Sequence, residues 1–440
     1  MKKNVLLVLI LVFATLIFAA CEEGLGDFVP TAPQPQHEET AATPSLPEVE
    51  EIADVSDVSD VSDVSETAET AEIAETENVI ATLADTAGSL VFVEHSNGLD
   101  DGITRLLAAM ETHGQSFYEM VLPDSVVLIK INAQWDQRGG TNTDLIARTV
   151  EAILAHPGGF TGEIIIADNG QAQFGSRGNG GSLDWPMANS ACREQSTLDV
   201  IRSFQAGGYR VTGVLWDEFT TVRVNEFSAG DYTNGFIVED TVRNTGLEIT
   251  YPKFTTEFGT HVSFREGIWD SQSATYDHDR LKIINMPVLK SHGLLQQTGA
   301  VKNYMGVVSD RLTNRRAHNS VAIGGMGTQM VYTRMPVLNI LDMIWVGPDR
   351  GPASSFGSAV EVNMIAASID PVAIDVWATR HVLIPEAERV PGGRAAAMNP
   401  QGTEPGTFGH WLRLSLNEML AAGYNFTMDE SEIIAIIGEQ

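Results

Sequence analysis

The amino-acid sequence predicts an α/β fold: a largely parallel sheet with helices on both faces, plus an inserted β-rich subdomain or lid over residues 217–278. Three observations carry that reading. Short apolar runs alternate with helical spacing from residue 90 to 216, and again from 281 to 422. Val126 to Ile131 is nearly continuously apolar, as expected of a strand covered on both faces. Residues 217–278 break the rhythm and are rich in Thr, aromatic residues and turn formers.

Leu90 to Val93 reads as the first strand. Ile103, Leu106, Leu107 and Met110 then share one helical face within 100–113. After the Val126 strand, a helix from about Asp144 to Ala155 has Thr141, Asn142 or Thr143 as its cap and stops at His156-Pro157-Gly158-Gly159. Glu163 to Ala167 is a strand, Thr197 to Gln205 a helix, and Tyr209 to Trp216 a strand. Inside the insertion, Thr220 to Glu226 and Leu247 to Tyr251 read as short strands. Leu281 to Asn285 follows as a strand, Leu338 to Val346 as a strand or strand–turn, and Val360 to Ala367 as a strand. Pro371 to His381 is a helix opened by Asp370, with proline at its favoured first position. Trp411 to Ala422 is the last clear helix, ended by Gly423.

The N-terminal region differs in kind. Met1-Lys2-Lys3 is followed by an uncharged apolar run, Val5 to Ala20, too short for a comfortable membrane span but suited to an export signal. Its end, Phe18-Ala19-Ala20-Cys21, resembles the lipobox of bacterial lipoproteins, although Phe18 stands where that family usually has Leu. The resemblance implies that residues 1–21 are a signal ending in a lipidated Cys21. The protein would then be exported and held on the periplasmic or cell-surface face of a bacterial membrane by acyl chains in the lipid. Residues 22–87 hold 18 acidic residues and no Lys or Arg, open with a Pro-rich stretch, and repeat Asp-Val-Ser from Asp54 to Ser65. Such a segment cannot offset its ordering entropy and reads as a disordered tether, averaging roughly 45 Å end to end before charge repulsion extends it. Residues 88–440 form the α/β domain on this reading.

The formal net charge is −31, of which the tether supplies −18 and residues 88–440 −15, with Lys2 and Lys3 adding +2. That balance excludes broad nucleic-acid binding, which needs surplus cations against phosphate. Two cysteines, Cys21 and Cys192, exclude a disulfide framework, a four-cysteine iron–sulfur cluster and a Cys-rich zinc site. His278 with Asp277 and Asp279, or His292, His318 and Asp342, lack the spacing of a known metal motif, so no metal ligand is assigned. Gly175 to Gly181 lacks the features of a P-loop or dinucleotide fingerprint and reads as a loop.

Within this acidic body one segment is locally basic. Residues 280–318 carry Arg280, Lys282, Lys290, Lys302, Arg311, Arg315 and Arg316 against only Asp310. Ligands of open α/β sheets bind beyond the C-terminal strand ends. The Val126 strand delivers Lys130 and Asn132 there, the Glu163 strand Asp168 and Asn169, and the Leu281 strand Asn285, then Lys290 and His292. The chemistry fits a small anion. Lys290, His292, Lys302 and His318 are the candidate catalytic groups: Lys to polarise, or to act as base or Schiff-base former if buried, His to move protons. Lys130, Asn132, Asn303 and Arg316 would hold the substrate, and Asp342 would orient a histidine.

The motifs also resemble a known family. Val127-Leu128-Ile129-Lys130-Ile131-Asn132, Asn285 to His292 (NMPVLKSH), Thr298 to Gly306 (TGAVKNYMG) and Ala366 to Asp375 (AASIDPVAID) resemble, in order, the bacterial and archaeal family called domain of unknown function 362. The similarity runs over about 126–380, and Ile131 stands where the family often has Pro. The resemblance implies a common α/β fold and no particular reaction. Some relatives carry ferredoxin-type cysteine clusters, which Cys21 and Cys192 cannot build. The expectation is therefore an exported, lipid-anchored protein, an enzyme acting on a small anionic substrate. The alternatives are a non-catalytic solute-binding or surface protein, and a metal- or cofactor-dependent redox protein.

Overall fold

The computed structural model describes residues 88–438 except 136, 171–180, 186–188, 191–194, 314–315 and 350–357. The expected signal, Cys21, the tether, Cys192, Arg315 and most of the 175–181 loop lie outside the described residues. Among the described residues, no helix is long and apolar enough to cross a membrane.

The chain is mixed α/β. Its strands in order are β1 (Ser89–His95), β2 (Val126–Lys130), β3 (Glu163–Asp168), β4 (Val211–Leu215), β5 (Gly235–Val242), β6 (Glu248–Thr255), β7 (His261–Ser263), β8 (Gly267–Asp270), β9 (Thr275–Asp277), β10 (Leu281–Asn285), β11 (Val288–His292), β12 (Gln296–Thr298), β13 (Leu338–Gly347), β14 (Val360–Ser368) and β15 (Ile433–Ile437). The main helices are α1 (Gly102–Thr112), α2 (Thr143–Leu154), α3 (Thr197–Ala206), α4 (Ala300–Asn303), α5 (Arg316–Ser320), α6 (Gly325–Tyr332), α7 (Pro371–Ala378) and α8 (Phe408–Ala421).

The main sheet runs β15-β1-β14-β13-β10-β2-β3-β4, with the β11–β12 hairpin attached to β13. β13, β10, β2, β3 and β4 are parallel neighbours, and β14 runs antiparallel between β1 and β13. β2 is buried along its whole length, and its pleat divides its side chains between two clusters. Val127 and Ile129 pack with Leu106, Leu145 and Ile201 from α1, α2 and α3. Val126 and Leu128 pack with Tyr304, Met330 of α6 and Trp411 of α8.

Local signals account for the helix ends. Asn142 caps α2 by accepting from the Asp144 and Leu145 N–H groups at 2.9 and 3.0 Å. Ser196 and Asp199 form a reciprocal capping box on α3. Asp370 caps α7 through the Val372 and Ala373 N–H groups at 2.8 and 2.9 Å. Beyond Ala378 the chain continues as a π turn, Thr379–Leu383.

Strands β5–β9 form a separate five-stranded antiparallel sheet, the β-rich part expected of residues 217–278. One expectation there is corrected. Thr220 to Glu226 is not a strand; it follows a 3₁₀ turn, Trp216–Phe219, and makes one isolated bridge, Arg223 to Phe236. Of the two readings, subdomain or lid, the insertion is a packed β-rich subdomain. Phe236, Ile249, Tyr251, Phe254 and Phe264 join the cluster of Val126, Leu128 and Ile283. Buried Arg334 ties it down, donating to the carbonyls of Phe264, Arg265, His278 and Leu281 at 2.6–3.2 Å.

Candidate functional site

Parallel strands β2, β3 and β10 end at one edge, and their last residues meet there. Lys130, at the end of β2, is 1% exposed, and its Nζ lies 2.7 Å from Asp168 Oδ1 at the end of β3. The same ammonium donates to Asn303 Oδ1 at 2.6 Å and to the Ile131 carbonyl at 2.9 Å. The other Asp168 oxygen accepts from the Ala133 N–H at 2.6 Å. Asn303 Nδ2 donates to Asn285 Oδ1 at 2.8 Å, and Asn285 Nδ2 to Asn339 Oδ1 at 2.9 Å. A chain of buried amides thus links β13 and β10 to α4, fixing where α4 sits.

Two other features place α4. Asp375 of α7 accepts from the Ala300 and Val301 N–H groups at 2.6 and 3.0 Å, satisfying buried donors that have no acceptor within the short helix. Gly299 and Gly306 bracket it. A Cβ on Gly299 would strike the Asp375 carboxylate, and one on Gly306 would strike the Lys130 ammonium.

Beyond these strand ends lies a cavity of about 50 Å³. Lys130, Asn132, Lys290, His292, Lys302, Asn303 and His318 all line it, although they span almost two hundred positions of sequence. Asp168, Asn169, Gln134, Trp135, Thr298, Met305 and Gly306 complete its wall. Asp168 and Asn169 stand at a strand end and were legible as such. Gln134, Trp135 and Thr298 sit in irregular or hairpin segments that carry no pattern pointing inward.

The three lysines differ in their partners. Lys130 is engaged as above. Lys290, 3% exposed, donates to the Gly139 carbonyl at 2.5 Å. Lys302, 7% exposed, has no acceptor for its ammonium among the described residues. Burial pushes Lys302 down to about 7, with the Lys130 charge adding to the effect. Burial likewise pushes Lys290 down to about 7, reinforced by Lys302 and only partly opposed by Asp168 and Asp342. Burial lowers Lys130 too, opposed by its contact with Asp168.

His292 Nδ1 accepts from the Leu294 and Leu295 N–H groups at 3.2 and 3.1 Å. That fixes a neutral imidazole with its proton on Nε2. Burial first, then Lys302, His318 and Lys290, pushes His292 down to about 2. The His318 ring centroid lies 6.2 Å from that of His292.

Two expected substrate contacts lie elsewhere. Arg316 points away from the cavity, half-exposed, with its guanidinium 3.6 Å from Glu248 of the antiparallel sheet. Asp342 is fully buried and orients no histidine. Its carboxylate accepts from the Asn142 N–H, the Ile344 N–H and Asn189 Nδ2 at 2.8, 3.0 and 3.3 Å. Burial pushes it up to about 6. It braces β13 against the start of α2. Asn132 lines the cavity, yet it also accepts from the Val288 N–H and donates to Asn303, so it is part of the frame. Among the described residues, no group of three or more His, Cys, Asp or Glu is arranged to hold a metal ion.

With that geometry in view, the comparison with known families is specific. Residues 272–380 match the family described as Domain of unknown function (DUF362). The DUF362 match contains Lys290, His292, Lys302, Asn303, His318 and Asp375, but not β2 or β3. It is therefore narrower than the 126–380 that the motifs suggested, and the cavity is built half inside and half outside it. A 126-residue stretch is also 32% identical to the thylakoid-associated protein sll1697 of Synechocystis sp. (strain ATCC 27184 / PCC 6803 / Kazusa). That alignment covers 26% of this chain and 39% of the cyanobacterial protein, so the chain spans about two fifths of the relative it matches. No solved structure matches the chain.

Proposed function

We propose that the cavity binds the anionic group of a small molecule and that the protein is an enzyme acting on that molecule. The observation that carries this reading is three lysines on the wall of one small cavity against, among the described residues, a single lining carboxylate, Asp168. Burying cations without counter-charges costs several kcal/mol each. A bound anion offsets that cost. Lys290 and Lys302 are the anion-binding groups in this reading, with Lys130 held by Asp168 as a fixed charge behind them. His292 donates from Nε2, and His318 exchanges protons. The buried lysines on the cavity wall, with amines pushed to about 7, favour catalysis over simple capture.

The test is binding of inorganic phosphate, sulfate and formate to the full chain at constant ionic strength, by calorimetry and thermal shift. Constant ionic strength matters because phosphate and sulfate stabilise many proteins by exclusion alone. Saturable binding is expected for at least one anion, reduced at least about tenfold in Lys290→Met and in Lys302→Met, as for loss of a charge-assisted bond. Equal responses in the wild type and both variants would rule the anion site out.

We further propose that residues 1–21 act as an export signal and that Cys21 is acylated, tethering the domain through residues 22–87. The basic start, the apolar run and the small residues before Cys21 support this. Radiolabelled palmitate should enter the wild type and not Cys21→Ser; equal labelling of both would exclude it.

A further inference from the structure

The three cavity lysines are not equivalent, and the difference has chemical content. Lys130 is held by a carboxylate, an amide oxygen and a carbonyl, and Lys290 by the Gly139 carbonyl. Lys302 reaches the same space with no acceptor among the described residues. An amine buried beside other cations is favoured in its neutral form, with a lone pair free to attack carbon. Around it stand groups suited to a carboxylate: Lys290, and Nε2–H of His292. The cavity has room for about four water molecules, at roughly 10–15 Å³ of centre-accessible space each. That space is enough for a carboxylate and the carbonyl next to it.

We propose that Lys302 forms an imine with the carbonyl carbon of a small 2-oxo acid whose carboxylate is held by Lys290 and His292. The inference rests on the anion-site reading above and adds a substrate class and a covalent step to it. The Lys302 Nζ lone pair attacks the carbonyl carbon, forming the C–N bond, while the C=O π pair moves to oxygen. That oxygen takes a proton, and nitrogen loses one, giving a neutral carbinolamine. Protonation of the hydroxyl then lets water leave as the nitrogen lone pair forms the C=N bond, and the resulting iminium nitrogen gives that proton back to leave the imine. The net change is amine plus ketone to imine plus water, with no oxidant or reductant. His318, on the same wall, is placed to give and take these protons. The imine, once protonated, is an electron sink for bond-breaking at the neighbouring carbon.

The experiment incubates the full chain with pyruvate or glyoxylate, adds sodium borohydride to reduce any imine to a stable secondary amine, and maps the adduct by peptide mass spectrometry. The adduct is expected on Lys302, suppressed by excess inorganic phosphate, and absent from that peptide in Lys302→Arg. Calorimetry with the same acids, without borohydride, separates the two claims. An acid that binds in competition with phosphate but leaves no adduct on Lys302 overturns the imine and leaves the anion site standing. An absence of both binding and adduct removes both. An adduct spread over surface lysines, or unaffected by phosphate, also overturns the proposal. If Lys302→Arg fails to fold, the position of the adduct in the wild type still decides.

Discussion

Lys302 and Lys290 share one cavity, and their charge state sets what it can bind. Both sit at about 7, well below the ordinary 10.5, because burial penalises the ammonium form. Binding an anion favours that form, so protons are taken up on binding. Affinity for phosphate or formate is therefore expected to weaken as pH rises through about 7 to about 9, approaching tenfold per unit for each lysine that takes up a proton on binding. Calorimetry in buffers of different ionisation enthalpy would show the proton uptake; a pH-independent affinity would contradict the assignment. Lys130 behaves differently, because its partner is already present. Lys130→Met leaves the Asp168 carboxylate buried and unpaired, a loss of about 3–5 kcal/mol. The double variant Lys130→Met/Asp168→Leu should recover most of that in denaturant unfolding, whereas an additive loss would mean that the pair is not coupled.

Short element α4 carries Lys302 and Asn303 but is too short to hold itself. Its position comes from outside, through Asp375 of α7 and the amide chain from Asn339 and Asn285. Burial pushes Asp375 up to about 7 despite the two N–H bonds that it accepts. Asp375→Ala removes both acceptors and should cost about 1–3 kcal/mol, with weaker anion binding because α4 is released. Asp375→Asn should cost less, since it keeps one acceptor oxygen and the neutral carboxyl is already well populated near pH 7. Equal losses in the two variants would show that the carboxylate charge itself holds α4. Hairpin β11–β12 is a second case of outside support. It pairs Lys290 with Thr298 and His292 with Gln296 while the Leu295 carbonyl accepts from Trp411 Nε1 of α8 at 2.8 Å.

Taken over the whole molecule, the cavity leaves a signature in stability. Lys290 and Lys302 have folded values below the unfolded 10.5, so the unfolded chain binds more protons between about 7 and 10.5. Stability that is full above 10.5 is lost as pH falls towards 7. The ligand-free protein should thus gain thermal stability from about pH 7 to about pH 9.5, provided that its other groups are quiet there. That rise should flatten in Lys290→Met/Lys302→Met and be offset by bound anion. The acid side has mixed signs. His292, depressed to about 2, destabilises as pH falls below 6.5. Asp342 and Asp370, raised to about 6, and Asp375, raised to about 7, lose stability as pH rises from 3.8 through those values. An alkaline arm that persists unchanged in the double lysine variant would place its cause elsewhere.

Much of this architecture is local, which is why the sequence reveals it. Apolar runs of β2, β3 and β10, the Asn142 and Asp370 caps and the helical faces of α1 and α8 are written in neighbouring residues. The position of Lys130, Lys290 and Lys302 just past such runs, or in a motif following one, marked them as neighbours at a sheet edge. What remained hidden depends on partners far away in the chain. Arg316 reads as an anion contact until Glu248 is brought beside it, and Asp342 as a histidine's partner until two backbone N–H groups use its oxygens. Hairpin β11–β12 is unreadable because its SH and QQT segments are polar and buried. The insertion reads equally well as lid or layer until its aromatic side chains are seen packed against β2 and β10. The sequence alone determined the strand and helix order, the local caps and which basic residues stand near strand ends. Tertiary structure alone decided which of them share a cavity and which already have a partner, because burial and pairing are set by residues from about forty to almost two hundred positions apart.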